Sequence, residues 1–393
     1  MNGTIYMPVG EVCSSISDTY REKKNMVTLI NTSDVLEGRV LNHERVPNSN
    51  LKGQFKKTFQ RDDILYSEIR PQNRRFAYVD FSPIDYIAST KLMVIRAKKD
   101  VVSPKYLYYF LKNSSTVAEL QLLAETRSGT FPQITFSEVA NLTIPVPSLA
   151  VQEVIVQTMQ CLEDKITCNE QINDNLEQQV QAYFQELFVD NADPAWTLGT
   201  ISDLGTVVGG STPSKSKPEY YTEDGIAWIT PKDLSINKAK FISHGENDIT
   251  ELGLKNSSAS IMPEGTVLFS SRAPIGYIAI ASGEVTTNQG FKSVVPKPEI
   301  GTAYVYCFLK HNLPVIEGMA SGSTFKEVSG STMKNVPAVI PDTETLTCFN
   351  DFCAPIFAHQ RILEEQNQSL AALRDSLLPK LMSGEIDVSA IQL

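Results

Sequence analysis

The sequence predicts an α+β protein: two mixed α/β domains in a pseudo-twofold repeat, separated by two long helices that pair as an antiparallel coiled coil. Three observations carry that prediction. Residues 130–188 align with 324–382 at a constant offset of 194 and without a gap, so that Thr130-Phe131 matches Thr324-Phe325, Asn141 matches Asn335 and Pro147 matches Pro341. Upstream of each copy lie short β-favouring runs bounded by turn residues. Downstream of each lies an apolar repeat of seven.

Taken in order, residues 1–147 form the first domain. Ile64–Ser67, Phe76–Asp80 and Leu92–Arg96 read as strands, and Ser103-Pro104 as a helix start that runs to Lys112. Residues 148–190 form the first helical region. Ile155, Leu162, Asn169, Leu176 and Tyr183 recur every seven residues, with Met159, Ile166, Asn173, Val180 and Leu187 four positions on. Residues 195–341 form the second domain, with strands expected at Thr266–Ser271, Tyr277–Ala281 and Phe291–Val295. Tyr304-Val-Tyr-Cys-Phe-Leu-Lys310 answers Tyr106-Leu-Tyr-Tyr-Phe-Leu-Lys112, and Leu268-Phe-Ser answers Leu65-Tyr-Ser. The stretches 10–60 and 196–262 barely resemble one another. Residues 342–393 form the second helical region, with Phe349, Ile356, Leu363, Leu370 and Leu377 in register. Pro355 and Pro379 interrupt it, which predicts a kink or late start at one and a stop near the other.

Connectivity then fixes direction. A short link, residues 189–195, follows the first helix, so the second helix must run back to pair with it. Forty helical residues span roughly 60 Å, against about 34–36 Å for one turn of duplex DNA.

Composition narrows the function classes. An apolar fraction of 42% is ordinary for folded protein. The opening MNGTIYMPVG lacks the basic start and apolar run of a signal peptide, and no window approaches a membrane span. Six cysteines show no CxxC pair and the four histidines do not cluster, so reduced thiols, a cytoplasmic location and no metal site are expected. The net charge of −10 is unevenly spread: residues 1–147 carry +4, 148–194 carry −8, 195–341 carry −1 and 342–393 carry −5. Basic patches can still bind phosphate, since the electrostatic footprint is local. A solvated acidic protein without a nucleic-acid partner fits the same totals.

In the first domain the candidate DNA contacts are Lys52, Lys56, Lys57, Arg61, Arg70, Arg74, Arg75, Lys91 and Arg127. Arginine presents a fork for guanine edges or phosphate, and lysine neutralises phosphate. Arg70-Pro-Gln-Asn-Arg74-Arg75 is the densest group, and equally reads as a solvated hairpin tip. In the second domain Gly209-Gly-Ser-Thr-Pro-Ser-Lys-Ser-Lys217 contributes Ser211, Thr212, Lys215 and Lys217. It is no phosphate-binding P-loop, because Ser214 stands where glycine must precede Lys215 and Pro213 removes an amide. Lys232, Arg272, Asn288, Gln289 and Lys292 complete the candidates; Asn and Gln can pair with adenine, yet often tie down loops. No catalytic residues are expected: there is no Gly-x-Ser-x-Gly elbow, no His-Glu-x-x-His and no Asn-Pro-Pro-aromatic step, and Asp62-Asp63 lacks a nuclease lysine motif.

The order of domains and helices, with Gly210-Ser-Thr-Pro213, Ile226-Ala-Trp-Ile-Thr-Pro-Lys-Asp-Leu234, Ser271-Arg-Ala-Pro-Ile-Gly276 and Thr287-Asn-Gln-Gly-Phe291, resembles the specificity subunit of Type I restriction–modification systems. The resemblance covers essentially the whole chain. It implies two target-recognition domains, with central and distal helical regions that recruit two methyltransferase subunits and restriction–translocase subunits. It implies a split, asymmetric double-stranded DNA target and no cofactor on this chain. S-adenosylmethionine, ATP and Mg2+ would be used by the partner subunits. The first domain lacks the Gly-Ser-Thr-Pro loop and the Arg-Ala-Pro-Ile-Gly run, so its contacts are less defined. Exposed acidic helix faces (Glu163, Asp164, Glu170, Glu177, Glu364, Glu365) are candidate docking surfaces. The alternative is a coiled-coil scaffold with protein- or glycan-binding end domains.

Overall fold

Alternation along one strand explains how each domain is layered. In Leu92–Ala97, Met93 and Ile95 face one core while Leu92 and Val94 face another, as a period-2 strand buried on both faces requires. In Val267–Ser271 the same division recurs: Val267 and Phe269 face one core, Leu268 the other. The structure, a computed structural model, describes residues 4–49, 53–127, 130–322 and 326–388. Lys52 and the repeat residues Thr324 and Phe325 therefore lie outside the described residues. The chain divides into two compact units, Met1–Ile166 with Ser369–Leu393, and Thr167–Gln368. Each unit thus takes one part of each long helix.

In the first unit, Cys13–Ile16, Leu92–Ala97, Ile64–Ser67 and Phe76–Tyr78 form an antiparallel sheet in that order. A second sheet, Arg45–Pro47, Met26–Ile30, Tyr86–Ser89 and Phe55–Lys57, covers one face, with a parallel pair at its centre. Pro104–Lys112 and Ser114–Arg127 pack on the other, together with Ile155 and Met159 of the first long helix and Leu381 and Met382 of the second. The helix expected from Ser103-Pro104 to Lys112 has those limits. Ser103 makes no side-chain cap; its backbone N–H donates instead to Oε1 of the fully buried Gln152, 2.8 Å away.

The second unit repeats the plan. Its main sheet is ordered Gly205–Gly209, Lys292–Pro296, Val267–Ser271, Ile275–Ala281 and Phe241–Ile242, and its smaller sheet Tyr221–Thr222, Asn247–Ile249, Ile226–Ile229 and Thr286–Thr287. Backbone ties show how far the repeat extends. Val9 N–H donates to Leu142 O (2.9 Å) and Ile201 N–H to Val336 O (3.0 Å). Tyr106 Oη donates to Pro145 O and Tyr304 Oη to Val339 O, each at 2.8 Å. The N-terminal ribbon strands, Ile5–Pro8 and Thr197–Thr200, pair with Thr143–Val146 and Pro337–Ile340 in the same register. So the repeat includes the first strand and helical turn of each copy, where the sequences had diverged beyond recognition.

The long helices, Leu149–Gln185 and Thr343–Ser383, pair through the expected seam. Ile155, Val180, Phe349 and Leu363 are buried, while Leu162, Ile166, Leu176, Ile356, Leu370 and Leu377 are half-buried. Within the second unit the pairing is antiparallel: Asn169 Nδ2 donates to Asn367 Oδ1 (2.8 Å), Gln360 Nε2 to Asn173 O (3.1 Å), and Tyr183 packs on Phe349 and Phe352. Asn169 is buried and Asn367 half-buried, and their bond forms in only one alignment, so it favours a single register.

The second helix starts at Thr343, well ahead of Pro355, so there is no late start there, and it stops at Ser383, one turn past Pro379, in keeping with the stop expected near that proline. Pro355 and Pro379 are exposed, where water can serve the carbonyls they leave unpaired, and buried neighbours such as Cys353, Leu378 and Leu381 hold the helix together. Of the acidic helix residues, Asp164, Glu170 and Glu365 are exposed, while Glu163, Glu177 and Glu364 are half-buried. Glu163 accepts from Tyr109 Oη (2.9 Å) and pairs with Lys112. Glu177 pairs with Lys240 and with Lys310 (2.6 Å). Glu364 accepts the backbone N–H groups of Lys240 (2.7 Å) and Phe241 (3.0 Å). Glu365 pairs with Arg361 at 3.0 Å. Three of these carboxylates therefore fasten the domains to the helices, because a lysine or open amide from the domain faces each of them.

Candidate nucleic-acid interface

In the second unit the main sheet ends in loops that its hydrogen bonds draw together. Ser211 N–H donates to Thr287 O (2.9 Å), Ser271 N–H to Gly290 O (2.7 Å), and Thr212 Oγ1 to Gln289 Oε1. Trp228 Nε1 donates to Ser211 O at 3.0 Å. Gly210 permits this approach: a Cβ there would lie 2.0 Å from Asn288 O and 2.4 Å from Thr287 O. The three segments singled out in the sequence, 209–217, 270–276 and 286–292, thus form one cluster holding Ser211, Thr212, Arg272, Asn288, Gln289 and Lys292.

The roles within that cluster differ. Asn288 Oδ1 accepts Gly290 N–H (2.8 Å), so that oxygen shapes the loop. Gln289 is exposed and Arg272 is half-exposed. Lys292 is mostly covered; its Nζ donates to Gln289 O and Phe291 O at 3.3 Å. Burial pushes its ammonium below the ordinary lysine value, and Glu327 opposes that. Lys215 and Lys217 are exposed, Lys217 lying 5.2 Å from the Tyr220 ring centre. Lys232 pairs with Glu246. Sequence reasoning missed Glu327, whose carboxylate lies 3.6 Å from Arg272 and 3.7 Å from Lys292. A cleft of about 670 Å³ opens beside it, walled by Arg272, Pro274, Ile275, Glu317 and Lys326. The available signal was its alignment partner, Gln133, a polar residue conspicuous in the gapless repeat.

In the first unit more of the candidate cations are tied to the domain itself. Arg74 and Arg75 do not form a free cluster with Arg70. Arg74 donates to Ser114 Oγ (2.8 Å) and Arg75 to Ser33 O (3.0 Å), because the turn at Pro71–Asn73 folds them back onto the domain. Lys57 also turns inward, donating to Thr90 O (3.1 Å) and Leu92 O (2.8 Å). Lys91 pairs with Glu68 (3.3 Å) and Arg127 with Glu138 (2.7 Å). Lys56, Arg61 and Arg70 project as exposed cations. Asp62 and Asp63 are structural: Asp62 accepts from Tyr78 and Lys99, and buried Asp63 is gripped by both arms of Arg96 at 2.7 Å. Among the described residues no group of His, Cys, Asp or Glu could hold a metal, and no helix is long and apolar enough to cross a membrane. All six cysteines are free thiols.

Two copies of one domain, each bearing cations on polar loops and braced by paired helices, define a class of duplicated binding protein. The chain belongs to the Type I restriction modification DNA specificity domain family, whose model matches it twice, over residues 6–178 and 195–366. It is 30% identical to the HindI specificity subunit of Haemophilus influenzae, over 92% of this chain and 94% of that one. It is 40% identical to the MjaIX specificity subunit of Methanocaldococcus jannaschii over 46% of this chain and 44% of that one. Among solved structures, the S subunit of a Type I restriction–modification system from M. genitalium superposes with a TM-score of 0.54 at 16% identity, over 97% of this chain and 96% of that one. That likeness is one of fold.

Proposed function

We propose that this chain is the non-catalytic DNA-reading subunit of a Type I restriction–modification complex. Its two domains read the halves of a split, asymmetric target, and its helical regions recruit two methyltransferase subunits and the restriction–translocase subunits. S-adenosylmethionine, ATP and Mg2+ act on those partners. The observation that carries this reading is the contrast between the copies. Family membership spans both, the backbone ties within each domain recur at equivalent positions, and the polar loops differ. The cations left exposed, Lys56, Arg61, Arg70, Lys215 and Lys217, suit phosphate. Arg272, Gln289 and Thr212 suit base edges.

The test is single-molecule sequencing of DNA from cells that make this chain with its methyltransferase. A bipartite motif with modified adenines, lost when this chain is omitted, is the expected result. A methylation pattern indifferent to this chain would remove the reading and favour a scaffold.

A further inference from the structure

Arg272 and Lys292 in one unit and Lys91 in the other are not left bare; each unit sets a counter-charge against them at one equivalent place. In the second unit Val328 N–H donates to Ser271 O (3.0 Å), which brings Glu327 beside Arg272 and Lys292. In the first unit Ile134 N–H donates to Glu68 O (2.8 Å), the matching backbone tie, and brings Gln133 beside Lys91. There the carboxylate comes from Glu68, the counterpart of Ser271 in Leu65-Tyr-Ser-Glu68 against Leu268-Phe-Ser-Ser271. So the acid comes from a different segment in each copy while its place beside a cation is shared.

We infer that Glu327 is a specificity-determining residue, which offsets Arg272 and Lys292 so that their cluster accepts a neutral base edge and resists a phosphate; this rests on the DNA-reading function proposed above. With the carboxylate, the three groups carry one net positive charge; without it, two. A phosphate is an anion, and its attraction follows that total. A guanine edge carries no net charge and is recognised by where its O6 and N7 acceptors fall, which favours the Arg272 fork. Both ion pairs are longer than 3.5 Å, and Glu327 and Arg272 are each more than a third exposed. Such pairs are weak, so a base that offers two good acceptors can draw Arg272 away. Pro274 and Ile275 give the adjoining cleft an apolar wall on which a base can rest. The acid therefore discriminates against wrong contacts more than it strengthens right ones.

The experiment uses the complex of this chain with its methyltransferase. Its affinity is measured, across a salt series, for a duplex bearing its own methylation motif and for a scrambled duplex of equal length. For Glu327→Gln, which installs the residue found at the equivalent position of the first copy, scrambled-duplex affinity should rise several-fold. The slope of log K against log salt should steepen by about 0.9, the value for one more phosphate neutralised, and the motif-to-scrambled ratio should fall. Glu317→Gln removes an acid from the same cleft that pairs with neither cation, and should change these quantities much less. Glu68→Gln should reproduce the effect from the first unit, which keeps the inference testable if Glu327→Gln misfolds. Unchanged scrambled affinity and slope in folded Glu327→Gln, or an equal rise in Glu317→Gln, overturns the inference. A wild-type complex that fails to prefer its motif overturns the DNA-reading function instead.

Discussion

Glu177 lies where the second domain is fastened to the first long helix, and its charge should be worth several kilocalories. Its side chain is 20% exposed and that of Lys240, which it meets, only 6%. Lys310 is a second cationic partner, and Tyr306 Oη donates to the same carboxylate at 3.3 Å. Lys240 has Gln360 Oε1 at 2.6 Å and the Phe357 ring centre at 4.0 Å, neither of which replaces an anion. Burial pushes the Glu177 carboxyl up, but the two ammonium groups more than reverse this and bring it down from 4.5 to about 2. That displacement corresponds to roughly 3 kcal/mol, at the lower end of the ~3–5 kcal/mol expected when one partner of a buried pair is removed. Glu177→Gln should therefore destabilise the second unit by about 3 kcal/mol, or roughly 6–12 °C in Tm for a unit of this size. Trp196 and Trp228, the two tryptophans of the chain, both lie in that unit, so their fluorescence reports its unfolding. The pH dependence follows from the direction of the shift. A carboxyl whose folded value is depressed gives its full stabilisation above the unfolded value and loses it as pH falls from about 4.5 to about 2. Wild type should lose stability through that window more steeply than Glu177→Gln. Adding Lys240→Met to Glu177→Gln should recover most of the loss, because no buried charge is then stranded. Parallel acid profiles, or a fluorescence midpoint within about 0.5 kcal/mol of wild type, the usual range for an inert surface substitution, would refute the reasoning.

Three further outcomes are expected. Lys112→Met removes the cation that Glu163 meets beneath the Tyr108 and Tyr109 rings; hydrogen exchange should quicken at Pro104–Lys112 while tryptophan fluorescence is unmoved, since both tryptophans belong to the other unit. Gly210→Ala forces a Cβ against Asn288 O and should abolish recognition of one half of the methylation motif, with the other half still required; a motif unchanged in both halves would show that this loop packing is dispensable. Inserting seven residues after Ile166 and after Gln368, where both long helices pass from one unit to the other, adds about 10 Å of helix and should lengthen the motif's spacer by about 3 base pairs. Methylome sequencing would expose a spacer that stayed put.

Much of the fold was legible because its signals are local. The seam of Ile155, Leu162 and Phe349 follows from periodicity, and the strand at Leu92–Ala97 from β-branched and long apolar residues between turns. The smaller sheets were not, because Phe55–Lys57, Tyr221–Thr222 and Thr286–Thr287 are too short to show a period and form only through non-local pairing. The site divided in the same way. Residue type marked Arg272, Gln289 and Thr212, and the Gly210 close approach explains why their loops meet. Nothing local distinguishes Lys57, whose ammonium is held by two carbonyls, from Lys56 beside it, which is exposed; strand alternation turns one inward and the other out. Glu177 read as an exposed docking acid for a related reason: its two cations come from residues 240 and 310, and only tertiary folding brings them to the helix.

That division bears on how one scaffold can carry two readers. The ties that repeat, Val9 to Leu142 with Ile201 to Val336 and Tyr106 to Pro145 with Tyr304 to Val339, all end on main-chain carbonyls. A carbonyl is present whatever side chain occupies the position, so such ties survive sequence drift in the acceptor strand. The polar contacts that differ are between side chains: Lys112 meets Glu163, whereas its counterpart Lys310 meets Glu177 on the same long helix. Phe357, which the gapless repeat aligns with Glu163, instead lies under the buried Lys240 ammonium. Backbone bonds therefore keep each copy's frame while its charges are free to come from different segments, as the acid beside the cations comes from residue 68 in one copy and residue 327 in the other.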